Sequence, residues 1–219
     1  MALLQRSGTR VWLDVPFAEK DRARALGARW DPAERSWYAP RAGMPGFAHW
    51  ERLAEVLPGE DRTFGGPGLF VDLIPSTSWF TNVRSAVDRC DWERLRQMVY
   101  RRAGFRCEAC GCHRDTPAGL HMEAHERFSY DLATGVQKLR RLVCLCTACH
   151  GTTHFGFAQL SSEEDAAMGH LRFITRMTER QARQHVAEAF ALWEVRSGAE
   201  WRLDLSVISG ARIALRERR

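Results

Sequence analysis

The sequence predicts an α+β protein: a small N-terminal α+β unit, then a zinc-stapled module flanked by helices. Three observations lead there. Short strand patterns alternate with a helical one over residues 10–57, two Cys-x-x-Cys pairs bracket a further strand pattern between residues 107 and 149, and helix signatures run from Ser161 onward. A chain of 219 residues holds one good-sized domain or two small ones.

In the N-terminal unit, Val11-Trp12-Leu13-Asp14-Val15 reads as a strand, Pro16 opens a helix over residues 19–26, and Gly27 stops it. A second strand, Trp37-Tyr38-Ala39, follows the turn former Asp31-Pro32, and a helix over residues 47–57 closes the unit. The stretch from Leu57-Pro58-Gly59-Glu60-Asp61 to Gly65-Gly66-Pro67-Gly68 has linker composition. The chain therefore divides as an accessory unit at 1–58, a linker at 59–68 and a main unit at 69–219.

The main unit starts with a strand pattern at residues 69–75. Asp91 is a cap for a helix whose Trp92, Leu95 and Val99 recur at i, i+3 and i+7. Arg94, Arg96, Arg101 and Arg102 lie on that helix, with Arg106 just beyond, and read either as a solvated face or as a phosphate-tracking surface. After the cysteines, Ser162-Glu163-Glu164 starts one helix and the capping box Thr178-x-x-Gln181 starts another, with Ala182, Val186, Ala189, Phe190 and Trp193 as its core stripe and Gly198 as its end. A strand at residues 201–205 and a basic tail, residues 212–219, complete the chain.

Charge and cysteine usage narrow the function. The net charge of +5 comes from 32 Lys+Arg against 27 Asp+Glu, nearly all of the cations being arginines, and it tilts the chain toward an acidic partner such as nucleic acid. No apolar run approaches the length of a membrane span, and residues 1–6 have no signal-peptide pattern, so a cytoplasmic protein without a membrane partner is expected. In a reducing compartment, cysteines spaced as Cys107-x-x-Cys110 and Cys146-x-x-Cys149 point to metal rather than disulfides. Four thiolates are the tetrahedral set of a structural Zn²⁺, which supplies folding energy to a segment with little core of its own. Cys90, Cys112 and Cys144 are left as buried or incidental thiols.

Between the pairs, Leu120, Met122 and Ala124 alternate with His121, Glu123 and His125, as two faces of one strand. The second pair runs into His150 and His154, whose i, i+4 spacing places both imidazoles on one side of a helix.

This run, Cys-x-x-Cys, a strand carrying His, then Leu-Cys-x-x-Cys-His-x-x-x-His, resembles the zinc-bearing branch of the HNH endonuclease superfamily. The resemblance implies a ββα-metal fold at about residues 104–157 and hydrolysis of DNA phosphodiesters with one catalytic divalent ion, Mg²⁺, Mn²⁺, Ni²⁺ or Zn²⁺, besides the structural zinc. It implies His125 as general base and His150 and His154 as ligands of that ion. Enzymes of this kind that cut both strands often act as homodimers. The pattern departs from the family at Ala124, where many members carry a ligand, and at Arg141, in the place of the middle Asn. A shifted register, with His125 as ligand and Glu126 or Glu123 assisting, accommodates the first departure. A catalytically silent zinc-binding module that recognises nucleic acid or protein is the alternative function. The segment Val11 to Pro40, with Leu26-Gly27-Ala28-Arg29-Trp30-Asp31 at its centre, is similar to a small bacterial domain of unknown function fused to DNA-mobilisation enzymes, which implies a targeting or DNA-contact role. Trp12, Trp30, Trp37 and Tyr38 are its core or, with Lys20, Arg22, Arg24 and Arg29, a stacking platform for bases.

Overall fold

The computed structural model describes residues 10–79, 82–113 and 121–216. Its α-helices are α1 (Lys20–Ala25), α2 (Val83–Ala86), α3 (Arg89–Arg102), α4 (Thr147–Thr153), α5 (Phe155–Leu160), α6 (Glu164–Thr175), α7 (Glu179–Ser197) and α8 (Ser206–Gly210). Its strands are β1 (Val11–Leu13), β2 (Arg29–Asp31), β3 (Ser36–Ala39), β4 (Met122–Asp131), β5 (Val136–Cys146) and β6 (Arg202–Asp204). The architecture is α+β, as expected. Residues 1–6, Leu120 and the end of the basic tail, residues 217–219, lie outside the described residues.

In the N-terminal unit, β1, β3 and β2 form an antiparallel sheet in that order. Its core gathers Leu13, Ala23, Ala28, Trp37, Ala39, Phe47 and Trp50. Trp50 is fully buried and its Nε1–H donates to Glu19, so a large side chain in so small a unit keeps its polar atom satisfied. Strand β2 stands where only a turn was expected. The turn follows it, because the Asp31 carboxylate accepts the Ala33 and Glu34 N–H groups at 3.0 and 3.1 Å.

The helix expected at 47–57 shrinks to a single 3₁₀ turn, Ala48–Trp50. Beyond it Glu51 bridges Leu13, the Arg52 N–H donates to the Trp12 carbonyl, and the Leu53 N–H donates to Asp14 Oδ2. Pairing with β1 outcompetes the local helical pattern here. The strand expected at 69–75 is also absent. Leu69, Val71 and Leu73 are buried alternately, as the pattern implied, but the Val71 and Asp72 N–H groups donate to His185 Nε2 and the Thr153 carbonyl rather than to a strand. Alternating burial needs no strand partner.

Helix α3 begins one turn earlier than expected, because Asp88 rather than Asp91 is its cap and accepts the Asp91 N–H. The Thr178–Gln181 capping box forms as expected, and Gly198 ends α7. Strands β4 and β5 make a long antiparallel hairpin with a bulge between Arg127 and Phe128, and β6 adds in parallel beside β5. At the hairpin turn Asp131 accepts the Ala133 N–H, and Gly135 takes a positive φ of 62°. A larger core packs α3, the hairpin and α4–α8 together.

The stretch with linker composition does not hang free. The Asp61 N–H donates to the Arg140 carbonyl, and the fully buried Glu60 carboxylate accepts both Arg102 terminal nitrogens at 2.8 Å as well as the Leu57 and Leu142 N–H groups. Glu60→Ala would leave the Arg102 guanidinium, only 4% exposed, without its buried carboxylate and with only the Glu55 and Leu142 carbonyls as oxygen acceptors. It is expected to lower stability by about 3–5 kcal/mol, read as a shifted urea midpoint.

Candidate metal centres and cleft

Strand β5 ends at Cys146, which caps α4 by accepting the Cys149 N–H on its sulfur. The first Cys-x-x-Cys pair forms a tight knuckle: the Gly111 N–H donates to the Cys107 carbonyl, the Cys107 N–H donates to the Cys112 carbonyl, and Gly111 reverses the chain at φ 76°. The knuckle brings the two pairs together. Donor atoms of Cys107, Cys110, Cys112 and Cys146 lie within 4.8 Å of one another, and so do those of Cys146, Cys149 and His170. All seven cysteines are free thiols. Hydrogen bonding from Cys146 and Cys149 pulls the Cys107 thiol far below the usual range, while burial pushes Cys112 up and bonding to Cys107 pushes Cys149 up.

Thiols crowded this closely, without disulfides, fit a soft tetrahedral ion, and the cluster could hold a metal such as zinc. The four expected cysteines are divided between these two sets, which share Cys146: Cys107 and Cys110 stand with Cys112, and Cys149 stands with His170. Cys112 had a visible signal in its spacing from Cys110. His170 had none, since α6 returns it from far along the chain to set Nε2 3.2 Å from Cys149 Sγ.

The second cluster is made of histidines. Because β4 pairs Met122 with Cys146 and His125 with Val143, α4 starts beside the strand that carries His125. The i, i+4 spacing does the rest. Ring centroids of His125 lie 5.3 Å from His150 and 4.8 Å from His154, and those of His150 and His154 are 4.6 Å apart. One nitrogen from each ring falls within 4.8 Å of the others. His125 is 1% exposed, and both its ring nitrogens are buried without a hydrogen-bond partner. An imidazole in that state is unfavourable unless a group outside the protein's own polar atoms meets it, as an ion would. Burial lowers all three histidines below their ordinary range, His154 to about 4, so they are neutral and able to ligate at neutral pH.

Glu126 stands next to His125. Its carboxylate accepts the Val83 N–H at 3.0 Å at the start of α2, and burial pushes it up to about 7. Ala124 offers no donor, and Arg141 is committed to the Arg62 carbonyl and Glu108. His121 is exposed at the foot of β4, its carbonyl accepting the Thr147 N–H.

The histidines open into a cleft of about 1210 Å³ between the β4 strand, α4–α5 and the α2–α3 segment. The four arginines expected as nucleic-acid contacts do not serve it freely. Arg94 pairs with Asp91, Arg96 with Glu93 and the Tyr100 hydroxyl, Arg101 with buried Asp14, and Arg102 with Glu60. Spacing along a helix identifies a charged face but cannot say which carboxylates fold back onto it. Arg84, Arg89 and Arg216 line the cleft together with Arg96, and unlike Arg96 they are exposed and have no carboxylate partner among the described residues. In the N-terminal unit Trp37 belongs to the core, while Trp30 stays 49% exposed against it, at 5.6 Å and 64°. Among the described residues, no helix is long and apolar enough to cross a membrane.

Comparison with known proteins finds a family match in the N-terminal unit. Residues 10–51 match the family described as a domain of unknown function, DUF5710. Two proteins of Escherichia coli, each named DNA primase TraC, are 48% and 42% identical to this chain over 59 residues. The matches span 26% and 25% of this chain but 6% and 4% of those proteins, so the chain covers a small part of the length of these relatives. No solved structure gives a significant match.

Proposed function

We propose that this protein is a metal-dependent endonuclease of HNH type that hydrolyses phosphodiester bonds in DNA. The observation that carries the proposal is the convergence of His125, His150 and His154 on one point at the floor of a cleft, with the His125 nitrogens buried and unpaired. His150 and His154 would hold a divalent ion, which when bound supplies charge stabilisation to the phosphate and the leaving oxygen. His125, neutral, would accept the proton of the attacking water. The burial of His125 favours a second assignment, in which it completes a three-histidine ligand set and the adjacent Glu126 takes the proton. Cys107, Cys110, Cys146 and Cys149 would hold a separate structural zinc.

The N-terminal unit, residues 1–58, would act as a targeting module, since its relatives are named as DNA primases. That naming also favours DNA over RNA as the partner.

Supercoiled plasmid incubated with Mg²⁺, Mn²⁺, Ni²⁺ or Zn²⁺ in turn, against a chelator control, tests the activity. Nicked or linear product that depends on the ion supports it. Intact plasmid under every ion replaces it with a silent zinc-binding recognition module.

A further inference from the structure

We infer that the cleft takes an unpaired DNA strand rather than a duplex, with bases stacked on Trp79 and Phe157 and phosphates held by Arg84, Arg89 and Arg216. This rests on the phosphodiester reading and names the form of its substrate.

Single exposed hydrophobic residues are ordinary on a protein surface. Trp79 and Phe157 differ in their placement. They are 49% and 58% exposed, and both line the cleft that ends at the histidines. Phe157 sits on α5 three residues after His154, and its N–H donates to the His154 carbonyl at 2.8 Å, so its backbone is held at the end of the helix that carries the histidines. Trp79 closes the turn that leads toward α2, whose first N–H is held by Glu126. Aromatic faces beside the reacting phosphate are useful to a ligand with exposed base faces. A duplex buries those faces within its stack, whereas an unpaired strand presents them together with its phosphates.

The cationic groups agree. Arg94, Arg96, Arg101 and Arg102 are each matched by an internal partner, whereas Arg84, Arg89 and Arg216 have no carboxylate partner among the described residues. The Arg216 N–H donates to the Ala86 carbonyl at 2.7 Å, which pins the last described turn of the chain against α2 and beside Arg84 at the cleft. Exposed aromatic planes and unpaired guanidiniums that line one cleft suit a single backbone with its bases turned outward. The recess of the histidines adds a constraint, because His125 is 1% exposed and a scissile phosphate must enter the cleft to reach it. A flexible strand bends into such a recess more readily than a stiff helix does.

The test uses the full chain carrying His125→Ala, so that binding is read without cleavage. Fluorescence anisotropy is recorded with labelled oligothymidine of about 20 nucleotides and with a duplex of equal length. The strand is expected to bind at least ~10-fold more tightly than the duplex, and Trp79→Ala or Phe157→Ala to weaken the strand by roughly 10-fold while moving the duplex less than about twofold. Trp79→Phe should restore most of the loss. Joint replacement Arg84→Gln and Arg89→Gln should flatten the salt dependence of strand binding. Duplex bound as well as the strand, aromatic variants that weaken both alike, or no binding to either overturns the inference. Strand preference with stacking loss, but no cleavage by the unmodified chain under any ion, removes the nuclease reading and keeps this one. Cleavage with indifferent aromatic variants does the reverse.

Discussion

Replacing His125 with alanine is expected to lower ion-dependent cleavage by about 10²–10⁴-fold while leaving DNA affinity nearly unchanged. The residue lies at the bottom of the cleft, meets His154 and His150 edge to face, and makes no hydrogen bond that would hold another element. Its removal breaks no side-chain hydrogen bond, and because the side chain is fully buried a melting curve matching that of the unmodified chain shows that the loss is one of chemistry and not of packing. Titrating the activating ion separates its two assignments. If His125 accepts the proton, the rate falls and the half-maximal ion concentration stays where it was. If it is a ligand, that concentration also rises, and His150→Ala and His154→Ala shift it in the same direction. Cleavage by His125→Ala at the rate of the unmodified chain would dismiss both assignments.

Cys107→Ser combined with Cys146→Ser is expected to release the structural metal and unfold the hairpin module. Binding free energies of structural zinc are about 10–16 kcal/mol, as large as the whole stability of an ordinary domain. The cost would spread. Cys107, Cys146 and Cys149 sit in the same buried cluster as Leu95, Met98, Leu142, Leu145 and Phe155, so the knuckle, α3, the hairpin and α4–α5 share one core. Elemental analysis should find one zinc per unmodified chain and none in the double variant, whose amide-exchange protection along β4 and β5 should collapse. We propose that residues 10–51, with a core of their own around Trp37 and Trp50, keep their protection in that variant. A metal-free double variant that melts as cooperatively as the unmodified chain would dismiss the structural role. Cys112→Ser and His170→Ala, each alone, then show which of the added donors contributes, through loss of bound zinc.

The paired cysteines, the His150–His154 step and the Thr178–Gln181 box are legible in the amino-acid sequence because each is a local pattern. Three or four residues of chain fix the separation of their side chains once a helix or knuckle forms. The alternation from Met122 to His125 is legible for the same reason, and the α+β class follows from these signals together. Long-range matters are not. Whether residues 47–57 are helical depends on Asp14 and β1 capturing their backbone, and whether residues 69–75 are a strand depends on there being no strand beside them.

Packing between distant segments settles which arginines are free. Asp14, Glu60, Asp91 and Glu93 pair with the four on α3 that their helical spacing makes conspicuous, and the arginines of the cleft without a carboxylate partner among the described residues are Arg84, Arg89 and Arg216. Packing also brings His125 to His150 and His154, and His170 to Cys149, since hairpin register and helix contacts place residues that are distant in the chain. Residue type and local spacing establish which side chains can ligate and how far apart neighbours in the chain will stand. The pairing of buried charges and the register of β4 on β5, which no local pattern encodes, establish which of them converge on one site and which are consumed in holding it together.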